Sequence, residues 1–320
     1  MNIFKVIAAT LFSIALMLPS AVGAYEFGTF ATEPNGDFIV GPAKTEIVVA
    51  PGETKTHKIT VKSRIDGDQN FRVYVRDFVG SSNPSEVISF VDENSGINPY
   101  FLSDYLSVEI NEFTLGLGES LSFDVTISVP EDAEPGGRYG AVLVSALPDA
   151  SQPDGAGVSF FTEIGSLLLV RVDGDLDEFG YIEDFTVNGK KKGIFFQQPL
   201  KFETFFRNAG NVHLIPYGQI VVSNTAGREV SAIPIDAHFS LPDSVRLRSF
   251  DWPAEDEKIF LIGRYTAELQ MYPGYRDVPE VVSITFWYIP IWFVLAFIAF
   301  VFLLSLIHSY FNRRYRRVRE

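Results

Sequence analysis

Residues Ile289 to Ile307 carry no charge over nineteen positions, and no other stretch limits the chain as strongly. At ~1.5 Å per residue such a run covers ~28 Å as a helix, close to the hydrocarbon thickness of a bilayer. It is expected to be a transmembrane helix within residues 286–310. Trp287, Tyr288 and Trp292 mark its outer end, where amphipathic rings favour the membrane interface, and Pro290 falls in the first turn, where its missing N–H costs little. The tail 311–320 follows with Arg313, Arg314, Arg316, Arg317 and Arg319 against Glu320, a basic stop suited to the cytoplasmic side and to anionic headgroups. A buried core helix is the alternative reading of the run.

Residues 1–24 read as a secretory signal peptide. Lys5 is the positive n-region, Val6–Leu18 the apolar region, and Val22-Gly23-Ala24 supplies small residues for cleavage before Tyr25. An uncleaved anchor is the alternative, and the apolar run is short for one. The two ends together predict a single-pass type I protein with its N-terminal domains outside the cell membrane and its C-terminus in the cytoplasm.

The body between them is acidic. Of the formal charge of −14, Lys5 contributes +1 and the tail +4, which leaves −19 on the remainder. Such a body repels phosphates, so nucleic acid is excluded as a partner. The absence of cysteine rules out disulfides, thiolate metal sites and a cysteine nucleophile.

Helical periodicity is nearly absent from this body. His57, Ile59 and Val61 alternate with lysine and threonine; Phe71, Val73 and Val75, then Leu106, Val108 and Ile110, then Leu121 to Val129 do likewise. Pro51-Gly52-Glu53, Asp66-Gly67-Asp68, Leu117-Gly118-Glu119 and Pro135-Gly136-Gly137 supply turns between them. The expected class is all-β: two tandem immunoglobulin-like β-sandwich domains plus the C-terminal transmembrane helix. The acidic run Asp173 to Glu178 is placed as a linker (173–178), between a first domain over 25–172 and a second over 179–282. Asp92–Asp104 reads as a connection with a short helical turn, and Pro148–Gly157 as a loop tip. An internal echo, Gly-Arg-Tyr-x-Ala-x-Leu, recurs at Gly137–Leu143 and Gly263–Leu269. Its tyrosine suits a corner role in two sandwiches of related design.

Candidate sites are few. His57, His213, His238 and His308 lie in no nucleophile elbow or zinc-helix pattern. Paired carboxylates of the glycosidase kind stay open as a catalytic alternative. For a metal, Asp173, Asp175, Asp177 and Glu178 are hard-oxygen candidates for Ca²⁺ at the linker, with a solvated linker as the other reading. Asp66, Asp68, Asn70 and Asp77 are a second, poorer calcium pattern, because Phe71 stands where the loop needs glycine. For a ligand, Tyr100, Phe101 and Tyr105 concentrate aromatic surface that either stacks on a sugar or partner, or plugs the sandwich end. Tyr272-Pro273-Gly274-Tyr275 reads as a stiff turn above the membrane.

Three segments carry a resemblance: Pro51-Gly52-Glu53-Thr54, Leu117-Gly118-Glu119-Ser120, and Val129 to Val142 with its Pro135-Gly136-Gly137-Arg138-Tyr139-Gly140 core. Over Ile39–Val172 the chain resembles the peptidoglycan-binding domain of the WxL-interacting proteins of Gram-positive surfaces. Phe206–Gly218 looks like a strand–turn–strand element of related anchored surface proteins, and does not match that family's host-binding domain. The resemblance implies a non-catalytic, membrane-anchored adaptor that contacts peptidoglycan or a cell-wall protein, without a cofactor. It carries no binding residue over to a position here. An accessory subunit docking through the transmembrane helix, and a wall hydrolase, are the other two classes.

Overall fold

The computed structural model describes residues 25–91, 96, 98–148, 162–253 and 262–317, with side chains as far as Tyr310. The leader and most of the Pro148–Gly157 tip lie outside the described residues.

Two β-sandwiches follow one another. In the first, one sheet runs in the order β1 (Tyr25–Thr29), β9 (Glu119–Ser128), β4 (Thr54–Ser63), β2 (Phe38–Gly41), with β7 (Leu106–Val108) also against β9. The facing sheet runs β3 (Lys44–Val49), β11 (Glu163–Val172), β10 (Gly136–Ala146), β5 (Gln69–Gly80), β6 (Ile88–Phe90), with β8 (Glu112–Leu115) on β5. In the second, β12 (Gly180–Val187), β14 (Leu200–Asn208) and β17 (Ser244–Trp252) form one sheet. The other runs β13 (Lys192–Phe195), β19 (Glu280–Tyr288), β18 (Gly263–Tyr272), β15 (Tyr217–Asn224), β16 (Glu229–Ile235).

The alternating runs become these strands because each has one face to bury. Ile59, Val61, Phe71, Leu121, Phe123, Val125 and Ile127 meet in the first core. Phe202, Phe206, Trp252, Tyr265, Leu269 and Phe286 meet in the second. The helical turn expected before Tyr105 is the 3-10 turn Ser103–Tyr105.

β10 departs from alternation, being buried on both faces from Gly136 to Ser145. Val142 and Val144 point into the first core, while Tyr139, Ala141 and Leu143 point away from it. These three join Phe78, Leu169 and, from the second sandwich, Leu241 in a third cluster at the domain junction. The two copies of the echo are therefore not equivalent. In β18 the Tyr265–Ala267–Leu269 face packs into that domain's own core, while Thr266, Glu268 and Gln270 stay partly exposed. A face exchange of this kind corresponds to a one-residue change of phase along a strand. β5 and β17 approach so closely that a Cβ on Gly80 would run into Ser244.

The helix α1 (Ile291–Arg317) has no buried residue over its apolar stretch Ile291–Tyr310 and is long and apolar enough to cross a membrane. It starts later than 286, and the second sandwich runs beyond 282. Ile284, Phe286 and Tyr288 alternate inward and pair with β18, which keeps the chain extended until Pro290. The Tyr272–Tyr275 turn is also not where the sequence suggests. Gly263 is the residue paired with Tyr288, so the β18–β19 turn lies at the end of the sandwich away from α1.

Leu241→Asp should open the junction without entering either core. The expected result is faster proteolysis at residues 173–178 of the detergent-solubilised chain, with strand content unchanged by circular dichroism and the second core still folded by the fluorescence of Trp252.

Candidate functional site

The junction between the sandwiches holds several buried polar groups, among them Arg138, Asn208, His213, Ser240 and Ser244. Its geometry starts from Asn208, the last residue of β14 and fully buried. Asn208 Nδ2 donates to the carbonyls of Val212 and Ser240, and its Oδ1 accepts the Gly210 N–H. Gly210 sits where a Cβ would collide with the Asp177 carbonyl. This tight turn projects Asn211 and His213 towards the first domain. The Asn211 carbonyl accepts the Gly137 N–H at 2.8 Å, and Asn211 Nδ2 donates to the Pro135 carbonyl at 3.2 Å.

His213 is buried against Tyr139, whose hydroxyl lies 3.3 Å from Nδ1, and Nε2 lies 3.9 Å from a Glu46 carboxylate oxygen. Tyr139 thus bonds across the domain junction, and the corner role expected of it does not form. Burial lowers the His213 pKa to about 4, outweighing the opposing pull of Glu46. The imidazole is neutral at ordinary pH. Burial raises the Tyr139 hydroxyl well above the usual tyrosine range. Beside this row Arg171 Nη1 and Glu178 Oε1 pair at 2.8 Å. A cleft of about 210 Å³ opens here, bounded by Glu46, Val48, Arg171, Glu178, His213 and Gly274. β3, the end strand of its sheet, forms one wall.

The aromatic candidates are part of the same junction. The Asp77 carboxylate accepts the backbone N–H groups of Leu102 and Ser103 and the Ser103 hydroxyl, which pins the connection. Leu102 enters the first core and Tyr105 packs against it. The Tyr100 hydroxyl donates to Asp243 Oδ2 of the second domain at 3.1 Å, and burial, then Asp243, raises its pKa to about 12. Phe101 is half-buried and bridges to Tyr139. Tyr100, Phe101 and Tyr105 are each partly exposed and packed at the sandwich end beside the junction.

At the linker, the four candidate acids Asp173, Asp175, Asp177 and Glu178 have different surroundings. Glu178 turns to Arg171, the Asp177 backbone N–H is taken by Asn211 Oδ1, and Asp173 Oδ1 accepts its neighbour's N–H. Among the described residues no three carboxylate or imidazole groups converge as metal ligands would. Asp77, placed in the second calcium pattern, is the loop pin instead. His57 Nε2 meets Thr45 Oγ1 at 3.2 Å and His238 Nδ1 meets the Asp236 carbonyl at 3.1 Å, so these two imidazoles have structural partners.

Sequence reasoning missed Arg246. It is 7% exposed on the inner face of β17, opposite Phe206, and its Nε and Nη1 have no hydrogen-bond partner among the described residues. Burial, reinforced by Arg248, lowers its pKa. The strand reads Ser-Val-Arg-Leu-Arg, so the arginines occupy the phase that faces inward; their phase against Phe206 and Thr204 was the available signal. A buried guanidinium without a carboxylate costs stability. Arg246→Met should raise the thermal unfolding midpoint of the second domain.

The pH dependence follows from the imidazoles. His213 and His238 each titrate near 4 when folded against an ordinary 6.5, so the folded chain binds fewer protons than the unfolded one between those values. Stability present above pH ~6.5 is lost as pH falls towards ~4, by up to about 3 kcal/mol for His213. The double variant His213→Gln/His238→Gln should show a flatter unfolding midpoint across that window.

No protein-family profile matches the chain, and no curated protein matches it. Solved structures do. The class 5 fimbriae chaperone CfaA is 13% identical with a TM-score of 0.36, covering 78% of this chain and 99% of its own. The CsuC–CsuE chaperone–tip adhesion subunit pre-assembly complex of Acinetobacter baumannii contributes a chain 11% identical with a TM-score of 0.37, covering 79% and 99%. The E. coli chaperone DraB is 12% identical with a TM-score of 0.34, covering 78% and 96%.

Proposed function

We propose that the chain is a non-catalytic, membrane-tethered adaptor that holds an extended segment of a cell-wall-associated protein in the cleft between its two sandwiches. The cleft beside the end strand β3 carries this reading. Val48 is 52% exposed on that strand, and the strand has a sheet neighbour on one side only. A sheet edge offers main-chain hydrogen bonds to an added extended segment, with side-chain pockets setting specificity. The Arg171–Glu178 pair, about one-third exposed, supplies charge of both signs beside it. α1 supplies the tether.

Catalysis is disfavoured by the same geometry. His213 is neutral, buried and bonded to a buried tyrosine, an arrangement that fills the junction instead of activating a nucleophile. The resemblance to the WxL-interacting proteins points to peptidoglycan as the other wall partner, and the test separates the two.

The full chain in detergent should co-sediment with intact walls, and Val48→Asp should weaken that retention several-fold, because it places a charge on the exposed edge. Equal pelleting of the two chains would sink the cleft assignment. Retention by protein-free peptidoglycan alone would make the glycan or its stem peptide the occupant.

A further inference from the structure

We propose that the membrane-proximal end of the second sandwich is itself a lipid-contacting surface, with Phe196, Ile194 and Trp287 seated in the headgroup layer of the bilayer that α1 enters. The inference rests on reading α1 as a membrane span.

Its basis is the way α1 is joined to the sandwich. β19 ends at Tyr288 and α1 begins at Ile291, leaving only Ile289 and Pro290 between them. That short connection is bonded to the sandwich. The Ile289 N–H donates to the Phe195 carbonyl at 2.9 Å, and the Ile291 N–H donates to the Phe196 carbonyl at 3.2 Å. These bonds continue the parallel pairing of β13 with β19, which ends with Phe195 beside Tyr288.

The second bond sets a depth. The apolar stretch Ile291–Tyr310 has 20 residues, and ~30 Å of helix is what the hydrocarbon core requires. Ile291 therefore lies at the hydrocarbon boundary, and Phe196, one hydrogen bond away, lies at the same depth. The exposed side chains at this level are large and apolar: Phe196 is 43% exposed, Trp287 47% and Ile194 55%. Ile194 and Trp287 are direct register partners. Trp292, in the first turn of α1, is exposed at the same level. A groove of about 370 Å³ lies between Phe196, Gln197, Asn188 and Ile291, wide enough to admit lipid groups between sandwich and helix. Aromatic rings at this depth are in their preferred environment, and apolar surface that water would otherwise contact is covered.

The strand supplies its own comparison. Val281 is also exposed on β19, six residues before Trp287 and so ~20 Å farther from the helix. It should remain in water.

The chain has no cysteine, so single-cysteine spin labels need no background removal. Phe196→Cys, Val281→Cys and Phe300→Cys would be labelled in the full chain and reconstituted in phosphatidylcholine vesicles containing phosphatidylglycerol. Accessibility to oxygen and to a water-soluble nickel chelate is then read at each site. The expected result is a label at 196 several-fold less accessible to nickel than at 281, with oxygen access rising towards the value at 300. Nickel access at 196 equal to that at 281, with 300 still shielded, would overturn the docking while leaving the span intact. Free nickel access at 300 would overturn the span reading itself. Shielding of 196 from both reagents, with spin–spin broadening, would show a second chain on the patch and would also overturn the proposal.

Discussion

Burial of β10 on both faces is the constraint from which the rest of the structure follows. A strand in a two-sheet sandwich ordinarily has one covered face. Here the second face, Tyr139, Ala141 and Leu143, is apolar as well, and water is excluded from it only when the second sandwich is in place. The domains are therefore joined by packing and not merely by sequence. The polar groups trapped there must then be paired. Asn211 serves the Gly137 N–H and the Pro135 carbonyl, Asp243 serves Tyr100, and His213 serves Tyr139. The Leu247 N–H reaches the Pro84 carbonyl to close the far side.

Much of the fold was legible because alternation is a local signal. Leu121–Val129 and His57–Val61 each state which residues face inward, and their strands obey. The acidic, glycine-containing run 173–178 lies between β11, which ends at Val172, and β12, which begins at Gly180. What the alternation rule hides is a strand covered twice. Ala141-Val142-Leu143-Val144 and Leu167-Leu168-Leu169-Val170 are uninterrupted apolar runs, the pattern of two-sided burial. They announced an interface that a reading by single faces assigned to the interior of one domain. The end of β19 was obscured differently. Trp287 and Tyr288 suit both a strand end and an interfacial helix start, and only the pairing of Tyr288 with Gly263 decides between them.

The site was less legible because its parts meet across the chain. The Tyr139–His213 contact spans 74 residues and Tyr100–Asp243 spans 143, so no local motif contains either. The features that did stand out locally were structural. Aromatic residues in a connection drew attention as a ligand surface, yet Asp77 holds that connection down and Leu102 anchors it in the core. Clustered acids suggested a cation, and of these Glu178 pairs with Arg171 while Asp173 accepts the Gly174 N–H.

The same kind of connection links α1 to the cleft. α1 is hydrogen-bonded to the end of β13, β13 is paired with β19, and β19 with β18. β18 spans ten residues from beside Tyr288 to the turn at Gly274, which lines the cleft. At ~3.3 Å per residue this sets the cleft ~30 Å above the helix start. No step on that path is a free linker. In the junction beyond it His213 is uncharged at ordinary pH, while the Arg171–Glu178 pair, about one-third exposed, is the part open to screening by salt. The path from α1 to the cleft is strand-paired at each step, and the length of β18 sets the separation of the two.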